Sequence, residues 1–250
     1  MAFKSSGSGG GFVSKGSGGG FNAKVVQSTA QFPIDANGLI LYLDAGNATS
    51  YPGSGTTWYD LSGNNNNAVA SGTPTYTATN GGGFSFDSSL DYFDTAPNLQ
   101  EAYASTGLTA AAWVRANSFS YVSAIIARSN WNNPDGWALH QHFNNTIMGP
   151  RYTQAQSNNS AVTTGVVYYV AFTIDSSGNA KVYIDGTQNG STSTGVTIPA
   201  AASQSPIIGC FPYSTYPWDG DIYQIHLYNR DLSSAEMLSN FNATKSRYGL

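Results

Sequence analysis

An all-β fold, two antiparallel sheets packed face to face with one short C-terminal helix, is what this 250-residue sequence predicts, and three observations carry that expectation. From Gly38 onward apolar residues mostly recur at every second position in short runs, the side-chain period of a strand. The runs are cut by Gly, Asn, Asp and Pro, which supply turns. Helix signals converge on one late segment. Many short strands joined by polar turns pack as a β-sandwich.

The chain begins with a Gly/Ser-rich arm, residues 1–30, in which GSGGGF occurs twice, nine residues apart, with Phe3, Phe12 and Phe21 at the same spacing. Ordering about twenty such residues costs tens of kcal/mol of backbone entropy. Three buried Phe rings return about 5 to 9 kcal/mol, so the arm does not order itself. The expectation is an anchor: backbone added to another chain's sheet edge, with the three Phe rings in spaced pockets. A flexible leader or an engineered linker are the competing readings.

Residues 31–250 form one domain by length. In GLILYLDAG, Leu39, Leu41 and Leu43 share a face; in LTAAAWVRA, Leu108, Ala110, Ala112 and Val114 do; in VVYYVAFTID, Val166, Tyr168, Val170, Phe172 and Ile174 do. Each such strand is expected to bury one side. DSSGN at 175–179 links two strands, and Asp185-Gly186 after KVYI suits a tight hairpin because both residues accept positive φ. In LSSAEMLSNF, Ser233 is the N-cap, Glu236 its capping-box partner, and Leu232 staples to Met237. That helix is expected on an edge or end of the sandwich.

Composition narrows the function. Charged residues are 10% of the chain, the net charge is -4 and the pI is near 5.1, so no basic stripe exists to neutralise phosphates, and neither nucleic acid nor a membrane is an expected partner. No run of about twenty apolar residues is present. The single cysteine, Cys210, excludes an internal disulfide framework, and MAFKSSGSGGG lacks the apolar core of a secretory signal. Synthesis in a cytoplasm is the expectation.

Several segments together resemble the laminin-G-like, concanavalin A-like jelly roll of carbohydrate-binding modules and bacteriophage virion proteins. They are LILYLDAGNATSYPGSGTTWYDLSGNNNNA (40–69), FSFDSSLDYFD (84–94), LTAAAWVRA (108–116), YYVAFTIDSSGNAKVYIDGTQNGS (168–191) and PIIGCFPYSTYPWDGDIYQIHLYNRDLSSAEMLSNFN (206–242). The family's usual Gly after FD is Ser88 here. The resemblance implies a two-sheet jelly roll with function on its loops, and the fold alone does not choose among lectins, glucanases and capsid proteins. It also implies calcium on loops between the sheets, for which Asp44, Asp60, Asp87 and Asp91, helped by Asn64, are the candidate ligands. Their competing role is to bind backbone N–H groups in turns. No other cofactor is expected.

Glycosidases of this fold resemble one another in a strand with Glu, Asp and Glu at alternate positions, and retaining chemistry needs carboxylates about 5 to 5.5 Å apart. This chain has two Glu, Glu101 and Glu236, far apart; Asp219 and Asp221 alternate around Gly220. Hydrolysis is therefore not expected, and neither is a reactive thiol at Cys210 in its apolar IIGCF setting. His140-Gln141-His142 places two imidazoles on one side of a strand, a metal pair with no third ligand visible in sequence. Two aromatic loops, NWNNPDGW (130–137) and FPYSTYPW (211–218), offer a sugar platform. Trp131, Tyr213 and Tyr216 would stack on rings while Asn132, Asn133 and Asp135 bind hydroxyls, with Trp137 and Trp218 in the core.

The leading expectation is a non-enzymatic virion protein, made in a host cytoplasm and displayed on a phage capsid or tail as a homo-oligomer. Its arm would bind other virion proteins and its loops host glycans. The alternative is an extracellular, lectin-like carbohydrate-binding module of a bacterial protein.

Overall fold

The computed structural model describes residues 33–89, 91–96, 99, 107–119, 122–128, 136–150, 155–197, 204–212 and 216–250. The arm with Phe3, Phe12 and Phe21, the residue Glu101, and the loop residues Trp131, Asn132, Asn133, Asp135 and Tyr213 lie outside the described residues.

In chain order the strands are β1 (Leu39–Asp44), β2 (Thr57–Trp58), β3 (Ala68–Ser71), β4 (Thr75–Thr77), β5 (Gly83–Asp87) and β6 (Tyr92–Thr95). There follow β7 (Leu108–Ala116), β8 (Ser123–Arg128), β9 (Trp137–His142), β10 (Thr146–Gly149) and β11 (Ala155–Gln156). The last are β12 (Val167–Ile174), β13 (Ala180–Ile184), β14 (Thr187–Gln188), β15 (Ile207–Ile208) and β16 (Asp219–Tyr228), before helix α1 (Ser234–Thr244). The first sheet runs β14-β13-β12-β7-β16-β5-β4, with β1 also on β16; the second runs β11-β10-β9-β8-β15-β6-β3-β2. Every pairing is antiparallel, so the all-β two-sheet sandwich holds.

The alternation predicted from sequence fills the layer between the sheets. Leu108, Ala110, Ala112 and Val114 of β7 join Val170, Phe172 and Ile174 of β12 there, with Trp137 and Trp218 also in this core. Two corrections follow. Val166 is 44% exposed, because it precedes the paired part of β12. Leu39 leaves the face of Leu41 and Leu43, because the register with β16 shifts between Leu39 and Leu41, and a bulge reverses the side-chain alternation.

Turns follow their chemistry. Asp185 and Gly186 have φ of 50° and 76°, the hairpin geometry expected. Asp175 accepts from Ser177 N and Asn179 N, which closes DSSGN. Ser88, where the family uses Gly, has φ 65°, so the turn keeps the glycine conformation with a serine in it.

The other side of the first sheet is also buried, contrary to the one-sided expectation. Ala111, Trp113, Tyr169, Ala171 and Tyr223 form a second cluster with Met237, and Phe241 packs against it. The cause is α1, which lies on this face rather than at an edge or end. Its capping box is formed as predicted by Ser233 and Glu236. Glu236 also holds Arg230 through two bonds of 2.9 and 3.1 Å, and the Arg230 contacts drop its carboxyl to about 2.

Beneath the C-terminal segment runs a buried polar chain. Gln224 Oε1 can only accept, so His226 donates from Nε2 (3.0 Å) and receives the Tyr169 hydroxyl at Nδ1 (3.1 Å). Gln224 Nε2 then donates to Asp44 at 3.4 Å. Burial pushes His226, and His140 of β9, down to about 3, so both are neutral. An unfolded chain protonates them near 6.5 and binds more protons than the folded chain below that pH. Stability is therefore expected to fall as pH drops from about 6.5 toward about 3. Urea midpoints across that range should show it, and His226→Gln should flatten the slope; an unchanged slope in this variant would contradict the assignment.

Candidate functional site on the second sheet

One face of the second sheet packs inward through Trp58, Ala68, Phe93, Ile126, Leu139 and Ile208. The outward face therefore carries the alternate residues. Register aligns Val69, Asp94, Ile207, Ala127 and Ala138 in one row across β3, β6, β15, β8 and β9. Exposure along this row runs from Val69, 47% exposed, to Ala127 and Ala138, both buried.

At its centre Asp94, Thr95, Gln204, Ser205, Ile207 and Pro212 line an open pocket of about 320 Å³. Thr95 donates its hydroxyl to Pro206 O at 2.7 Å, and its N–H reaches the same oxygen, which fixes the 204–206 segment against β6. Partial desolvation raises the Asp94 carboxyl above its ordinary range. Burial, together with the Asp94 charge, pushes the Cys210 thiol up to about 12, the inert cysteine expected from sequence. The pocket combines a carboxylate, an amide and hydroxyls with the apolar Ile207 and Pro212. That is the mixture an orienting site for a polyhydroxylated ring requires.

Beside the pocket, Phe211 and Tyr216 lie on a floor of Ala124, Ala127 and Ala138, their ring centres 6.1 Å apart. Tyr216 is the one described member of the predicted sugar-binding set, and its carbonyl accepts from Ala124 N at 3.1 Å. The second aromatic loop is thus tied to the Ala124 end of β8. The first loop leaves β8 after Arg128 and re-enters at Trp137, the opposite end of that strand. Sequence reading missed Asp94, Gln204 and Ser205 as a group, because only the β6–β15 register brings them together.

The four Asp residues expected on calcium are put to separate uses. Asp44 is buried and accepts from Arg247, Gly46 N and Tyr42 OH. Asp60 accepts from Tyr42 N, Ser62 N and Asn66 N, and Asn64 reaches Leu39 O instead. Asp87 accepts from Ser89 N and Asp91 from Thr73 N. Asp87, Asp91 and Asp219 do line a second open pocket of about 320 Å³. Among the described residues, however, no three His, Cys, Asp or Glu side chains converge to hold a metal ion.

Paired carboxylates fare similarly. Asp221 is fixed by Arg115 (2.7 Å), Ser85 and Tyr223, while Asp219 accepts from Ser118 and Asn117. Glu236 is occupied at the helix cap.

A family profile, Laminin_G_3, described as the concanavalin A-like lectin/glucanases superfamily, matches residues 87–237, more than half of the chain. The chain belongs to that superfamily. Solved structures of the superfamily fold agree. Domain 4 of AbnA, a GH43 extracellular arabinanase from Geobacillus stearothermophilus solved with arabinotriose, aligns with TM-score 0.61 and 16% identity over 80% of this chain and 96% of that one. Trypanosoma rangeli sialidase with sialic acid aligns with TM-score 0.60 and 20% identity over 84% of this chain and 33% of that one. A botulinum neurotoxin type C structure, from a study of its dependence on two ganglioside molecules for cell entry, aligns with TM-score 0.58 and 18% identity over 83% and 51%. This superfamily chain thus spans about a third of the sialidase and half of the neurotoxin chain. No curated protein matches the sequence. Virion partners, capsid decoration and a homo-oligomer gain no support from these comparisons.

Proposed function

We propose that this chain is a lectin-like carbohydrate-binding module that holds a glycan without cleaving it, on the outward face of its second sheet. The reading that sequence ranked second thus takes precedence over the virion role. The observation that carries it is the pocket around Asp94, in which a carboxylate, Gln204 and Ser205 face apolar Ile207 and Pro212. Similar folds solved with arabinotriose or sialic acid support a saccharide as the ligand class.

Binding rather than hydrolysis follows from the carboxylates. Asp94, with its raised pKa, is the one carboxyl lining that pocket among the described residues, whereas glycoside cleavage uses two flanking the bond. A glycan array followed by calorimetry tests the reading. Asp94→Ala, at an exposed position, is expected to weaken binding by about tenfold or more, the value of a charge-assisted hydrogen bond. Trp131→Ala with Tyr213→Ala tests whether the aromatic loops contribute. Glycan binding untouched by Asp94→Ala would remove the pocket from the proposal, and no binding on the array would remove the proposal itself.

A further inference from the structure

Basic residues are distributed unevenly along this chain. Between Lys24 and Arg115 there is no Lys or Arg, and between Lys181 and Arg230 there is none either. The pocket around Asp94 is built wholly from these two stretches. Asp94 and Thr95 come from the first, and Gln204, Ser205, Ile207 and Pro212 from the second. Of the basic residues elsewhere, Arg115 and Lys181 stand on the first sheet, while Arg230 and Arg247 are held by carboxylates. Arg128 of β8 is fully buried, its register partner is the core residue Trp137, and it does not line the pocket. Burial lowers the pKa of both histidines of β9, so neither adds a positive charge near neutral pH.

Asp94 itself is unengaged. Among the described residues no hydrogen bond or ion pair reaches its carboxylate, and only desolvation acts on its pKa, with no cation opposing it. Asp44, Asp60, Asp87, Asp91, Asp219 and Asp221 are each taken up by protein donors instead. An ionised carboxylate only accepts. The open oxygens of Asp94 therefore call for donors that bring no negative charge.

We propose that this pocket selects glycans whose bound ring is uncharged and turns away uronic and sialic acids. The inference rests on the carbohydrate-binding reading above and names the class of sugar within it. Vicinal hydroxyls of a neutral ring can each donate to one Asp94 oxygen, while Ile207 and Pro212 suit its C–H face. A carboxylate on the ring would meet Asp94 with no cation to neutralise either. Two like charges about 6 Å apart, at an effective dielectric between that of a protein surface and that of water, cost about tenfold in affinity. Asp94 is exposed, so salt should screen this repulsion.

The test takes the neutral glycan found on the array and two derivatives of it, measured by calorimetry on the full chain. One is the uronic acid made by oxidising its primary hydroxyls; the other is the methyl ester of that acid. Both have lost the same hydroxyl, so the pair isolates charge. At low salt the acid should bind at least about tenfold more weakly than the ester. The gap should shrink to about threefold or less in ~1 M salt, where the screening length is about 3 Å. Asp94→Asn, which keeps an acceptor oxygen without the charge, should close it similarly. Circular dichroism of this variant should match the parent, and the salt series on the parent carries the test independently of it. Acid and ester bound equally, an array dominated by sialylated or uronic glycans, or a gap that survives in Asp94→Asn would overturn the selectivity while leaving carbohydrate binding in place. Absence of any glycan binding would remove that reading and this inference with it.

Discussion

Replacing Arg247 with alanine is expected to lower stability by about 3 kcal/mol or more, the usual cost of leaving one partner of a buried ion pair alone. Asp44 is the partner left behind, and its side chain is only 2% exposed. Arg247 grips both carboxylate oxygens, one at 2.8 Å. Burial by itself would lower the guanidinium pKa, but the hydrogen bonds and charge of Asp44 outweigh it and hold the group above its ordinary value. Gly46 N, Tyr42 OH and Gln224 Nε2 also donate to Asp44, but none carries a charge. Arg247→Ala with Asp44→Asn removes the orphan charge and should recover part of the loss. Chemical denaturation decides it; a single variant within about 1 kcal/mol of the parent would show that the pair behaves like a surface one.

Trp113→Ala is the second large effect, expected at about 3 to 5 kcal/mol. Its indole donates to Thr244 Oγ1 at 2.9 Å, and its ring lies 4.2 Å from Tyr248, 5.2 Å from Tyr169 and 5.6 Å from Phe241. It therefore joins β7 to α1 and the turn that follows. Hydrogen exchange should show 234–248 losing protection more than β8 and β9 in this variant. Uniform loss across both sheets would mean that the C-terminal segment does not unfold separately.

The strands of the sandwich were legible because burial between sheets imposes a period of two, as Leu108 to Val114 demonstrates. The helix was legible in its cap but not in its location. Ser233 and Glu236 state where a helix begins, whereas its seat on Trp113 depends on aromatic residues at the positions that a one-sided strand would leave polar. Leu39 was misassigned because a bulge leaves no mark in the apolar pattern.

The candidate site was less legible for the same physical reason. Asp94, Gln204 and Ser205 lie far apart in sequence and meet only through β6–β15 pairing. Of the two aromatic loops, Tyr216 is described and packs beside Phe211, whereas Trp131, Asn132, Asn133, Asp135 and Tyr213 lie outside the described residues.

The most direct measurement follows one glycan selected on an array through a long incubation with the chain, recording ligand NMR line widths and reducing-end signals together. Saturable broadening that Asp94→Ala weakens, with no new reducing ends, is the predicted result. New reducing ends that disappear when a single Asp is neutralised would contradict the account.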